Sequence, residues 1–486
     1  MELQAAGARS SSVASTDIPL VVDLDGTLLR SDLLLECASY VLAETPLRAF
    51  GPLSALRKGR AGLKASLARA AELDISNLPW NRAMLSRISV ARTAGRKVFL
   101  ATAAHRDLAE AVASHLDLFD GVFASDESTN LRGASKAELL VAHFGERGFD
   151  YAADATVDWP VWERARRAIL VEASPALVRR AQKYLPDAET VGTRAPRLKL
   201  YVRAIRAHQW AKNLLLFVPM LAAHRVDAAM LGRTVLAFLA FSLCASSVYV
   251  LNDLVDLRRD RAHPTKRNRP FAAGTIPVLH GFALAPSLLI AAMLITLALP
   301  MQFAAVLACY YTLTFAYSLH IKRKMLLDVV TLACLYGLRI LAGGAAAGIT
   351  VSAWLGIFSI FFFSFLALVK RCAELQEREI SGAPDPAGRG YRIADLPMLH
   401  ALAAGSGMVA VLVFALYVNS DVGAALYRHP NWLAGISIVL FYWIGRTLLL
   451  TYRNEMHEDP VVFAVTDRVS LACGIISLLV ILASLV

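Results

Sequence analysis

The chain has 486 residues, 56% of them apolar, and a formal net charge of +11. A mean hydropathy of +0.49 excludes an ordinary soluble protein, and six scattered cysteines without a Cys-x-x-Cys pair exclude a disulfide or zinc framework. Much of the basic surplus lies between apolar runs, which points to a lipid bilayer and phosphate-bearing partners and away from nucleic acid.

Residues 1–18 are Ala/Ser-rich without an apolar core, so they read as a disordered tail and not a secretory signal. Residues 19–195 alternate short apolar runs with amphipathic stretches, the pattern of an α/β domain. Strands are expected at Pro19–Asp23, Lys97–Thr102, Gly121–Ala124, Tyr151–Asp154 and Ala168–Glu172. Residues 32–90 interrupt the pattern with helical sequence and are expected to form a small cap. Residues 186–204 read as a polar, basic connector, with 196–204 as the linker between the domains.

From 205 to 486 the chain reads as an all-α polytopic membrane domain. Nine spans are expected, near 205–223, 232–251, 277–298, 300–318, 326–347, 352–370, 397–418, 432–450 and 469–486. With the first 204 residues in the cytoplasm, the inner loops collect Arg258, Arg259, Lys266, Arg267, Lys322, Arg323, Lys370 and Arg371 among others. The outer side holds Arg225, Arg233 and Arg428. That asymmetry predicts a multi-pass protein of the inner (plasma) membrane with a non-cytoplasmic C-terminus.

Two constellations carry chemistry. In the first, Val21-Val22-Asp23-Leu24-Asp25-Gly26-Thr27 ends an apolar strand, where open α/β sheets bind ligands. Two carboxylates at i and i+2 point the same way, so one can attack phosphorus while the other handles protons, with Mg²⁺ neutralising the phosphate. Thr102 ends a later strand and can bond a phosphate oxygen. Lys136 opens a helix and can neutralise phosphoryl charge, and Asp154, followed by Asp158, can bind the metal. This set resembles the haloacid dehalogenase superfamily of phosphatases, a Rossmann-like fold with a cap. The resemblance implies Asp23 as nucleophile, Asp25 as general acid/base, and Asp23, the Asp25 carbonyl and Asp154 as Mg²⁺ ligands. Ala153 stands where that family usually has Gly. The bland alternative is an inert scaffold or docking module.

In the second constellation, Asn252, Asp253, Asp256 and Asp260 recur at helical spacing as the second expected span leaves the bilayer. Carboxylates gathered beside a membrane are costly unless something binds them, and a Mg²⁺-carried diphosphate suits hard oxygen ligands. Lys266 and Arg269 then supply donors to phosphate oxygens. A solvated basic loop would explain the cations and leave the four ordered acidic and amide groups unexplained. The Asn-Asp-x-x-Asp-x-x-x-Asp stretch resembles the UbiA-type prenyltransferase superfamily over about 200–486. Within it, Gln209–Asn213, His263–Pro270, Tyr317–Lys322, Leu338–Gly343 and Asp459–Arg468 are most similar to the decaprenyl-phosphate phosphoribosyltransferase branch.

That resemblance implies transfer of 5-phosphoribose from phosphoribosyl diphosphate to a polyprenyl phosphate, with Mg²⁺ in both domains. The soluble domain is expected to remove the 5-phosphate, giving a lipid-linked pentose for a surface glycan. Lys212, Asn213, Lys322, Arg339, Lys370 and Arg371 are the expected holders of the lipid phosphate and ribose 5-phosphate. Arg339 is the most telling, because an arginine inside an apolar span is expensive, and its structural alternative is pairing with a carboxylate such as Asp328. The rival function is prenyl transfer from a prenyl diphosphate to an aromatic, quinone-type acceptor. Glu374, Glu377 and Glu379 stand where such enzymes carry a second Asp-rich motif, which argues against it.

Overall fold

The computed structural model describes residues 18–44, 66, 74–126, 129–185, 187–192, 197–224, 227–382, 384–385, 390–456 and 460–485. The expected tail up to residue 17, most of the cap between 45 and 73, and Arg225 and Asp459 lie outside the described residues. The chain divides into two compact units, Met1–Ile205 with Val250–Leu284, and Arg206–Tyr249 with Ala285–Val486. The stretch that holds the acidic motif therefore clusters with the N-terminal residues.

The first unit is built on a six-stranded, wholly parallel sheet in the order β3-β2-β1-β4-β5-β6. The strands are β1 Leu20–Val22, β2 Val98–His105, β3 Gly121–Ser125, β4 Asp150–Ala153, β5 Arg167–Val171 and β6 Glu189–Val191. Successive side chains of a strand face opposite sides, so Leu20 and Val22 enter one apolar core and Val21 the other. The first core takes Met84 and Ile88 from the helix Arg82–Thr93 and Ala109 and Val112 from Arg106–Leu116. The second takes Ala137, Leu140, Val161, Trp162, Leu177 and Ala181 from the helices Ala134–Phe144, Trp159–Arg164 and Pro175–Tyr184. Burial on both faces explains why these strands read as continuous apolar runs. The polar three-residue strand β6 lacks that signal and falls where the sequence reads as connector. The register pairs Val22 with Leu100 and Ala152, which aligns the carboxyl ends of β1, β2 and β4 along one edge.

At the opposite edge Asp150 is buried, and Arg96 (2.5 Å) and Arg166 (2.8 and 2.7 Å) bond its carboxylate. Burial alone would raise the Asp150 carboxyl, but the hydrogen bonds and charges of Arg166 and Arg96 outweigh it and hold the group below the usual range.

The second unit is helical. Among the described residues, seven helices of the whole chain are long and apolar enough to cross a membrane: Ala228–Val255, Val278–Thr296, Leu327–Ala347, Ala353–Ile380, Ile393–Val418, Pro430–Tyr452 and Arg468–Leu485. The chain is a multi-pass membrane protein. The fourth expected span forms the helix Met301–Leu319, made more polar by Tyr310, Tyr311 and Tyr317. The first expected span is a 3₁₀ helix, Ala207–Phe217, continued by the short helix Val218–Ala222. Gly343 explains one close approach here: a Cβ at that position would lie 1.9 Å from the Leu216 carbonyl oxygen.

Candidate active sites

The edge formed by the ends of β1, β2 and β4 gathers the first constellation. Asp23, 6% exposed, follows β1 directly. Lys136, delivered by the first turn of Ala134–Phe144, donates to Asp23 Oδ1 at 2.7 Å, and its ammonium also reaches Asp158 Oδ1 at 3.3 Å. Tyr151 of β4 donates to Asp158 at 2.9 Å, and its hydroxyl also accepts from Lys136 at 2.9 Å. Burial raises the Asp23 carboxyl to about 6, against the lowering pull of the Lys136 ammonium. Burial pushes Lys136 down, but Asp23 and Asp158 outweigh it and hold the ammonium above its ordinary value. The lysine thus stays charged beside Asp23 and Asp158.

Asp25 accepts from the Leu33 backbone N–H at 2.9 Å through Oδ1. Gly26 has φ +79°, and a Cβ there would lie 2.6 Å from both carboxylate oxygens of Asp154. The Asp154 carboxylate is therefore pressed against the Asp25-Gly26 backbone, and only glycine leaves it room. Thr102 is buried, and its hydroxyl accepts from the Ala104 N–H at 2.9 Å. Among the described residues no three His, Cys, Asp or Glu side chains converge on one point. The expected Mg²⁺ set needs fewer: Asp23, Asp154 and one backbone carbonyl are hard oxygens, and Mg²⁺ commonly takes one or two carboxylates with the rest from water and phosphate. Asp25, Gly26 and Asp154 open into a cavity of about 490 Å³, also lined by Arg30, Asp32 and Glu172.

The second constellation lies at the end of the helix Ala228–Val255 and in the following helix Leu257–Ala262. Backbone bonds from Asp256 N to Asn252 O (2.8 Å) and from Asp260 N to Asp256 O (2.9 Å) carry the helical repeat through the turn, so Asn252, Asp256 and Asp260 share a face. Asp253 and Asp260 are buried, and the Arg269 guanidinium bonds both through Nη1, at 3.2 and 2.6 Å. Burial raises the Asp260 carboxyl despite Arg269. Two carboxylates close enough to share one nitrogen suit a single Mg²⁺ whose other ligands come from a diphosphate. Asp256 is half-buried, 3.6 Å from Arg259, and Lys266 is exposed in the 3₁₀ turn Lys266–Asn268.

Within the second unit Arg339 is fully enclosed. It donates to Asn213 Oδ1 at 2.9 Å, the Leu335 carbonyl at 2.6 Å and the Tyr310 hydroxyl at 3.2 Å, and lies over the rings of Phe241, Tyr310 and Tyr336. Asn213 is itself held by a bond to Ser242 Oγ at 2.9 Å. Asp328 is not the partner of Arg339. It accepts from Arg371 Nε at 2.9 Å and from the Tyr391 hydroxyl, and Arg371 also pairs with Glu374. Arg371, expected at a substrate phosphate, is thus engaged by two carboxylates. Lys212, Lys322 and Lys370 are half-buried.

Sequence reasoning missed Tyr151, Tyr310 and Tyr391, and it missed the buried ion pair between Glu36 and Arg261. Tyrosines in apolar runs carry no signal of their own, and Glu36 stands in an ordinary amphipathic stretch.

A model of the UbiA prenyltransferase family matches residues 214–472. Over 463 residues the chain is 38% identical to an uncharacterized protein, y4nM, of Sinorhizobium fredii, covering 94% of this chain and 89% of that one. Over 189 residues it is 39% identical to the decaprenyl-phosphate phosphoribosyltransferase of Mycolicibacterium smegmatis, covering 37% of this chain and 59% of that one. A UbiA homolog from Archaeoglobus fulgidus, solved bound to DMAPP and Mg²⁺, is 19% identical with a TM-score of 0.45, covering 58% of this chain and 97% of that one.

Proposed function

Because the chain belongs to the UbiA prenyltransferase family, we propose that its membrane part moves 5-phosphoribose from phosphoribosyl diphosphate to a polyprenyl phosphate, releasing diphosphate. In this reading Asn252, Asp253, Asp256 and Asp260 would hold Mg²⁺ and through it the diphosphate, with Lys266 and Arg269 donating hydrogen bonds to phosphate oxygens. The bond from ribose C1 to the diphosphate breaks, and an oxygen of the lipid phosphate takes its place. The metal supplies charge neutralisation for the leaving group.

The observation that carries this reading is Arg339. Its hydrogen-bond partners, Asn213, the Leu335 carbonyl and Tyr310, are all neutral, and among the described residues no carboxylate lies within ion-pair distance. A buried cation without a balancing anion costs several kcal/mol, on the order of the penalty for one desolvated charge, and an anionic substrate offsets that cost. Lys212, Asn213, Lys322, Lys370 and Arg371 complete the proposed substrate set. The relative named for phosphoribosyl transfer supports the choice of donor.

The N-terminal part acts in this reading as a phosphomonoester hydrolase on that product. Asp23 attacks phosphorus, Asp25 gives its proton to the departing 5-oxygen, and water then releases inorganic phosphate from Asp23. Thr102 and Lys136 hold the phosphoryl oxygens, and Asp23, the Asp25 carbonyl and Asp154 would hold a Mg²⁺ that would neutralise phosphate charge there. The site lies on the cytoplasmic face of the inner membrane, the C-terminus lies across it, and the product is a pentose precursor for an envelope or surface glycan.

The test supplies membranes holding the chain with radiolabelled phosphoribosyl diphosphate and a polyprenyl phosphate. Label is expected in the lipid phase, first with and then without the 5-phosphate. Label entering lipid only from a prenyl diphosphate and an aromatic acceptor would establish quinone-type prenyl transfer instead.

A further inference from the structure

The cavity at Asp25, Gly26 and Asp154 is not walled by the N-terminal residues alone. Leu200, Gly274, Thr275, Pro277 and Val278 complete its lining, and all belong to the same compact unit. Gly274 has φ +67°, and a Cβ there would lie 2.8 Å from both Arg30 Cβ and the Arg30 carbonyl oxygen, so the loop lies directly against the segment that follows the catalytic strand.

Two features place this wall at a membrane surface. Val278 is the first residue of Val278–Thr296, a helix long and apolar enough to span a bilayer. The end of a span sits at the interface, and one lining residue is that end. Leu200 belongs to the helix Arg197–Ala204, in which Leu198 is 78% and Val202 44% exposed, while Lys199 and Arg203 are exposed beside them. An exposed apolar i, i+4 pair next to a basic i, i+4 pair is the pattern of a helix lying in the headgroup region of an anionic bilayer. Tyr201 of this helix bonds His280, in the first turn of the span, at 2.6 Å.

We infer that this phosphatase cavity opens at the bilayer interface and that Leu200 and Gly274–Val278 make it selective for a membrane-anchored phosphomonoester over a free sugar phosphate. The inference rests on the hydrolase reading of Asp23 and Asp25. The bond broken joins phosphorus to the 5-oxygen of the lipid-linked sugar, that oxygen leaves as a hydroxyl, and water completes inorganic phosphate. Arg30 lines the cavity and offers a recognition group, with Glu172 holding one end of its guanidinium.

The experiment uses the full chain in vesicles of phosphatidylcholine and phosphatidylglycerol. Phosphate release is measured from a short-chain polyprenyl-phosphoribose 5-phosphate, from free ribose 5-phosphate and from p-nitrophenyl phosphate. The lipid substrate is expected to be preferred by at least about tenfold in kcat/KM over free ribose 5-phosphate. The double variant L198D/V202D should lose about tenfold on the lipid substrate, the scale of removing a leucine-sized group from an apolar phase, and should keep its rate on p-nitrophenyl phosphate. That retained rate also reports that the variant is folded. Equal turnover of lipid-linked and free substrate by the wild type would overturn the inference and leave the hydrolase reading standing. So would an equal loss on all three substrates in the variant. Release from none of them by the wild type would remove the hydrolase reading itself.

Discussion

The Arg261 guanidinium closes a two-pronged pair on the Glu36 carboxylate, 225 positions earlier, at 2.5 and 2.7 Å, with both side chains buried. Ser31 donates to the same carboxylate, and Arg261 Nε donates to the Ala272 carbonyl at 3.1 Å. One pair thus ties the segment after Asp23–Thr27 to the stretch that follows the acidic motif.

Arg339→Lys should be poorly tolerated, because a point charge cannot meet Asn213, Tyr310 and a phosphate with a planar fork. The Michaelis constant for a phosphorylated substrate should rise by the equivalent of about 2 kcal/mol, the scale for a charged hydrogen bond. Steady-state kinetics with each substrate varied, together with the melting temperature in detergent, checks this. Unchanged constants with a lowered melting temperature would make Arg339 structural.

Asp253→Ala and Asp256→Ala should each lower transfer by at least about 100-fold, since the diphosphate then leaves without its metal. Hydrolysis of p-nitrophenyl phosphate should survive in both variants. Near-normal transfer by both at ordinary Mg²⁺ would refute the ligand assignment.

In Asp23→Asn the amide keeps the shape and loses the nucleophile. Transfer should continue, and mass spectrometry of the lipid fraction should show the product retaining its 5-phosphate. The same product from wild type and variant would mean that the N-terminal part acts on something else.

The strand ends and the acidic motif were legible because their chemistry is written locally: an aspartate closing an apolar run, or four groups at helical spacing. The five expected strands lie within a residue or a few of β1 to β5. What the sequence hid are pairings made across the fold. Nothing near Asp328 marks Arg371 as its partner, 43 residues on and on another helix. Nothing near Asp158 marks Tyr151, whose hydroxyl is aimed by the pleat of β4. The first expected span reads as apolar by composition, and its tighter 3₁₀ winding has no compositional mark.

Asp150 gives a pH test of stability. Its folded pKa lies below the unfolded value near 3.9, so its contribution is present in full above that value and fades as pH falls through the depressed one. Asp150→Asn should therefore destabilise the N-terminal unit at pH 7 by about 1–3 kcal/mol, and the gap to wild type should narrow below about pH 4. Denaturant melts of the full chain, followed by tryptophan fluorescence across that range, would show it. A gap that stays constant with pH would exclude the ion pairs as its source.

The clustering of 250–284 with the N-terminal residues bears on how such a gene could be divided. A cut after residue 204 looks clean on paper, between an α/β part and a string of spans. The severed N-terminal part would lose Arg261, the partner of Glu36 in a buried ion pair. It would also lack the residues from Gly274 to Val278 that close its cavity. Fission at that point would yield an open-sided fragment without that ion pair, whereas a lineage that keeps one reading frame inherits the sheet and the loop that walls its cavity as a single trait.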